Sequence, residues 1–107
     1  MDVMINGSKW RLRLVRPTNK YLQRSDGSWT IGMTDGRTKT IYVADNLSDY
    51  MEDRVILHEL THAHSIEYGY SIPIDVEEVI CDFMSLHGRS IVYLADGIIG
   101  ALVRRVA

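Results

Sequence analysis

A single cysteine, two prolines and one phenylalanine stand in 107 residues, and neither sign of charge prevails. One thiol excludes an internal disulfide and suits a reducing compartment. Twelve Lys and Arg against fourteen Asp and Glu leave a net charge of −2, so there is no basic surface for nucleic acid and no such partner is expected. No uninterrupted apolar run reaches the roughly 18 residues of a membrane span. The stretch from Ser90 to Ala107 is broken by Asp96-Gly97 and Gly100 and ends in Arg104-Arg105. No membrane partner is therefore expected, and Ile98 to Val103 reads as a terminal helix packed on a sheet or on a second copy, as in a homodimer. Met1-Asp2-Val3-Met4-Ile5 has neither the charged nor the apolar region of a secretory signal, which points to the cytoplasm. Repeats, low-complexity tracts and linkers are lacking too. A chain of 107 residues can bury one core but not two, so 1–107 reads as one domain.

Strand periodicity fills the first 45 residues. Trp10, Leu12 and Leu14 alternate with Lys9, Arg11 and Arg13, and Trp29, Ile31 and Met33 alternate with Thr30, Gly32 and Thr34. Asp35-Gly36 signals a hairpin into Arg37 through Ala44, and Ser25-Asp26-Gly27-Ser28 makes another turn. Residues 20 to 24 are a candidate for an additional short strand. The expectation is an antiparallel sheet of three to four strands.

The chain then changes period. Between Ser48 and Tyr68 there is no Pro or Gly, Ser48 precedes Asp49 and Glu52 as an acidic first turn, and Gly69 supplies a stop. Met51, Val55, His58, His62 and Ile66 keep helical spacing, widened by Ile56, Leu57, Leu60 and Ala63. On this helix lies His58-Glu59-Leu60-Thr61-His62, an H-E-x-x-H sequence. Residues four apart sit roughly 40° apart around a helix axis, so two imidazoles project side by side toward one ion. Glu59 points toward the same cleft, where a carboxylate can take a proton from a zinc-activated water. The competing reading is two core histidines bonded to backbone with Glu59 in a surface ion pair. Two imidazoles side by side on one apolar stripe count against it.

A catalytic zinc takes three protein ligands, so a third must come from elsewhere. Pro73 and Asp75 mark a new helix with an apolar set Val76, Val79, Ile80, Phe83, Met84 and Leu86. Glu78 and Asp82, four apart on it, suit a ligand and a carboxylate that orients a ligand imidazole. The alternatives are several. Asp75 to Glu78 also fits a capping box in which Glu78 folds back on its own helix start. Glu77 is the neighbouring carboxylate, but its partner four residues on is Cys81. His64 points well away from the other two histidines, and His87 serves only if Gly88 ends the helix early. Cys81 reads as a small buried hydrophobe without chemistry.

These residues resemble the gluzincin side of the zincin peptidases, where H-E-x-x-H on one helix is joined by a Glu in an E-x-x-x-D pattern on a following helix. Here those positions are His58, Glu59, His62, Glu78 and Asp82. Val55 to Ala63, preceded by Thr40 to Ala44 and followed by Glu78 to Phe83, is similar in particular to the ImmA/IrrE family of bacterial and phage-borne peptidase domains. The resemblance covers about half the chain. It implies a minimal zincin fold, zinc as cofactor, Glu59 as general base, and Glu78 as third ligand with Asp82 behind it. Small members of this kind are often carried by phages or mobile elements, and some act on one regulatory protein. The connection from His62 to Glu78 is short for a gluzincin, which implies a compact site.

The expected protein is thus an α+β zincin-like domain whose sheet precedes the motif helix and a second, ligand-bearing helix, and whose activity is zinc-dependent hydrolysis of a peptide or protein substrate. Tyr68, Tyr70, His87 and Tyr93 are the candidate donors to the developing oxyanion. The strand ending at Ala44 feeds the motif helix, so its edge should lie near the cleft and could hold an extended peptide, unless Arg37, Lys39 and neighbouring loops protect it. The rival reading is a zinc-binding regulatory or interaction module, or an inactive pseudo-peptidase. A base at Glu59 favours catalysis, because a structural zinc site has no use for one.

Overall fold

The structure, a computed structural model, describes the backbone of residues 1–106 and the side chains of residues 1–103. Four strands come first: β1 (Asp2–Ile5), β2 (Ser8–Val15), β3 (Gly32–Asp35) and β4 (Thr40–Ala44). Two helices follow, α1 (Asp49–Glu67) and α2 (Ile74–Val106). The chain is α+β, with one four-stranded sheet and two helices.

The sheet is mixed, not antiparallel throughout. Its order is β1-β2-β4-β3, and β2 runs parallel to β4 with Leu12 opposite Ile41 and Leu14 opposite Val43. The reason lies in β4, whose five residues are all buried. A run buried on both faces belongs in the middle of a sheet, so the β3–β4 hairpin inserts β4 against β2 and leaves β3 outside. Ile41 and Val43 join Ile5, Trp10, Val55 and Ala63 in the core under α1. Tyr42 and Ala44 pack on the opposite face with Val15 and Leu22. Leu22 belongs to a 3₁₀ turn, Lys20–Leu22, where a short strand was the expectation; Asn19 Oδ1 caps it by accepting from Tyr21 N at 2.9 Å.

β1 and β2 form a hairpin closed by Asn6-Gly7, both at positive φ (50° and 76°), the turn that matches strand twist. The β3–β4 hairpin turns through residues 36–39, with Asp35 Oδ1 accepting from Arg37 N at 3.0 Å. β3 covers only the second half of the alternating stretch; Trp29 and Ile31 lie outside it and are exposed.

α1 follows its sequence signals closely. Ser48 Oγ accepts from Met51 N at 3.2 Å, and Gly69 at φ 68° ends the helix with Tyr70 N bonded to Ser65 O and Gly69 N to Ile66 O. Glu67 in the last turn accepts from Trp10 Nε1 at 2.8 Å and pairs with Lys39 Nζ at 2.7 Å, tying the helix end to the sheet.

α2 departs from expectation. It runs 33 residues without a break at Gly88, and residues 89–103 are all exposed. The segment Ile98 to Val103 is its continuation and does not pack on the sheet; Ala107 lies outside the described residues. A helix of about 50 Å is long for a molecule of 56 × 31 × 27 Å, so its C-terminal half projects from the body. By length and composition Ile74–Val103 is also apolar enough to cross a bilayer, with mean hydropathy 1.2 over its best window. The polar breaks that argued against a span by length do not interrupt the helix.

Candidate metal centre

Two imidazoles and three carboxylates meet where α1 crosses α2. His58 and His62, one turn apart, lie with ring centroids 5.0 Å apart at 66°. The His58 Nε2 stands 3.2 Å from Glu78 Oε2, and the His62 Nε2 stands 2.8 Å from Glu78 Oε1. Each ring is held at its other nitrogen. His58 Nδ1 is 3.0 Å from Asp82 Oδ1, and His62 Nδ1 is 3.0 Å from Glu77 Oε1. Glu78 therefore folds toward the histidines and not back onto the start of its own helix. Glu77, which spacing alone suggested only as a substitute ligand, is the partner of His62.

This arrangement favours a cation. If Asp82 and Glu77 each accept a proton from Nδ1, both Nε2 atoms turn lone pairs toward an anionic carboxylate. A shared metal ion between the two nitrogens and Glu78 relieves that contact. The N to O separations of 2.8 and 3.2 Å also approach the ~3.3 Å between ligands of a four-coordinate zinc. Carboxylate–imidazole pairs of this type fix tautomer and ring orientation in metal sites.

Cys81 is nearer than expected. Its sulfur and one nitrogen of each histidine lie within 4.8 Å of one another. It belongs to the α2 face formed by Glu77, Glu78, Cys81, Asp82 and Ser85, which turns toward α1. Burial first, then the carboxylates of Glu78, Glu77, Glu59 and Asp82, push its pKa up to about 12. Without a metal the thiol keeps its proton at neutral pH, and coordination would release it.

Glu59 lies beside the pair, with Oε2 3.8 Å from His58 Nε2 and only 7% of its surface exposed. Burial raises its pKa, opposed by a hydrogen bond that Thr34 Oγ1 donates to Oε1 at 3.0 Å and by the neighbouring imidazoles. β3 supplies that hydroxyl because it passes directly over α1. A Cβ on Gly32 would stand 2.5 Å from Val55 Cγ1 and 3.1 Å from Glu59 Cγ, so glycine permits the approach. Sequence reasoning missed Thr34 and Gly32, although an isolated glycine in a strand pattern signals close backbone approach.

None of the four expected oxyanion donors is among the residues lining the two lobes of the cleft. Tyr68 stacks on His64, His87 packs on Phe83, and Tyr70 and Tyr93 are 70% and 78% exposed. His64 bonds its own helix at Leu60 O, 2.7 Å away. Two adjoining lobes of about 360 and 290 Å³ open on the histidines and Glu59, and Arg24 lines both. No family model, no curated protein and no solved structure matches the chain, so the site's chemistry is read from its own geometry.

Proposed function

We propose that the protein is a zinc-dependent peptidase of minimal zincin type, with His58, His62 and Glu78 as metal ligands and Glu59 as general base. The observation that carries this reading is the convergence of both Nε2 atoms on Glu78 while each Nδ1 is held by a carboxylate. When bound, zinc supplies Lewis-acid chemistry, activating water and polarising the scissile carbonyl. Glu59, its basicity raised by burial and its orientation held by Thr34, accepts the proton of the attacking water and returns it to the leaving amine. Asp82 and Glu77 keep the two imidazoles in the ligating tautomer.

Peptide binding is assigned to β3, which corrects the expectation that the strand ending at Ala44 offers the edge. β4 is internal, and β3 is the outer strand over α1. Ala44 N donates to Ile31 O at 3.0 Å, so by antiparallel alternation Ile31, Met33 and Asp35 bond inward while the backbone groups of Gly32 and Thr34 face away from β4. An extended substrate gains main-chain hydrogen bonds there, beside Glu59.

The test is metal content of protein purified without chelator, as wild type, His58→Ala, Glu78→Ala and Cys81→Ser. One zinc per chain is expected in wild type and Cys81→Ser, and loss in the other two. Cobalt exchanged into the wild type should give no sulfur-to-metal charge-transfer band. A wild type without zinc after reconstitution overturns the reading, and zinc lost on Cys81→Ser moves the third ligand to sulfur.

A further inference from the structure

We infer that the smaller lobe of the cleft is a carboxylate-binding subsite formed by Arg24 and Arg54, and that the substrate carries an acidic group next to the scissile bond. The inference rests on the peptidase reading. Arg54 lies one turn before His58 on α1 and so shares its face. Arg24 reaches the same lobe from the turn after Leu22, and the wall also includes Gly32, His58, Glu59, Glu78 and Asp82.

Two guanidiniums share the lobe with three carboxylates, and the two sets differ in what holds them. The carboxylates are engaged: Glu59 by Thr34, Glu78 by both histidines, Asp82 by His58 Nδ1. Neither Arg24 nor Arg54 enters an ion pair within 4 Å among the described residues, and Arg24 acts on the Asp26 carboxylate only from beyond that range. Arg54 Nε is buried and has no hydrogen-bond partner, while the group's carbon stands 5.8 Å from the Tyr50 ring centroid. Arg24 makes only long contacts, from Nη1 to Ser28 Oγ at 3.5 Å and Trp29 O at 3.4 Å. A guanidinium stays charged at any relevant pH, and a buried N–H without an acceptor is unfavourable until one arrives. The planar fork fits a carboxylate, which can come from an Asp or Glu side chain or from a free chain end.

Short peptide hydroxamates test this on the zinc-loaded full chain, because the hydroxamate anchors to the metal and binding reads the subsite without turnover. Two series place the variable residue on either side of the hydroxamate. Each contains Asp, Asn and Ala with an amidated end, and Ala with a free carboxylate. Calorimetric Kd values should favour the acid over Asn by about tenfold or more in one series. That preference should fall to near unity in Arg54→Gln and weaken in Arg24→Gln, whose exposed loop position leaves the core untouched. Preference for Asp identifies a side-chain site, and preference confined to the free end identifies a carboxypeptidase-like site. Equal affinity for Asp, Asn and the free carboxylate overturns the subsite alone. Failure of every hydroxamate to bind the zinc-loaded chain means the metal has no open position, which overturns the peptidase reading and this inference with it.

Discussion

Glu59 must be an anion to act as a base, yet it is buried against Val55 and β3. Burial raises its pKa above the ordinary 4.5, so the folded protein holds this proton more tightly than the unfolded chain does. By linkage, the stability this residue contributes is complete below pH ~4.5 and is lost as pH rises through the folded value. Metal-free wild type at pH 7 therefore carries an unfavourable carboxylate that Glu59→Gln removes, while the amide oxygen still accepts from Thr34. We predict that metal-free Glu59→Gln melts above wild type at pH 7. The gap should close as pH falls toward 4.5. Zinc content should be unchanged and peptide hydrolysis down by about 10²–10⁴. A metal-free variant that melts at or below wild type would mean that Glu59 is ionised in the fold at no cost.

At the scale of elements, legibility followed the range of the signal. α1 was readable end to end because its cap, acidic turn and Gly69 are local. The carboxylates on α2 were readable as a four-residue spacing, but which histidine each one faces depends on how two helices cross. Asn6-Gly7, a strong hairpin signal, went unread beside Asp35-Gly36, and with it β1. The parallel pairing of β2 with β4 is a contact across some 24 residues of intervening chain; only the unbroken apolar run in β4 hinted at it. The close passage of β3 over α1 carries a test of its own. Gly32→Ala sets a methyl 2.5 Å from Val55 Cγ1, so β3 or the helix must give, at about 1–3 kcal/mol. Melting temperature should drop accordingly, and Val55→Ala in the same chain should cost less than it does alone, a coupling that a double-mutant cycle detects. Strict additivity would show that β3 does not press on α1.

For the whole molecule, the question is what the far half of α2 is for. From Ile91 to Val103 its only charged residue is Asp96, and every side chain in that span is exposed. A helix apolar all round is normally covered by protein or lipid. The body, by contrast, is complete without it: the core clusters end with α1, and α2 meets the site through residues 77–85 and pairs Arg89 with Asp53. Around Gly97 and Gly100 no atom outside the helix lies close enough to meet a Cβ. Truncation after Asp96 should therefore shift the melting temperature by no more than about 3 °C, the range of a surface change, and leave zinc stoichiometry at the wild-type value. It should also remove the self-association predicted for the full chain. In detergent-free buffer the full chain should scatter light as more than one copy, and the truncated chain as a monomer. If the full chain is itself monomeric, apolar coverage by a second copy is excluded, and vesicle flotation becomes the discriminating measurement. If truncation unfolds the protein, the projecting helix supports the fold through contacts the structure does not contain, and the division into a self-sufficient body and an apolar extension fails.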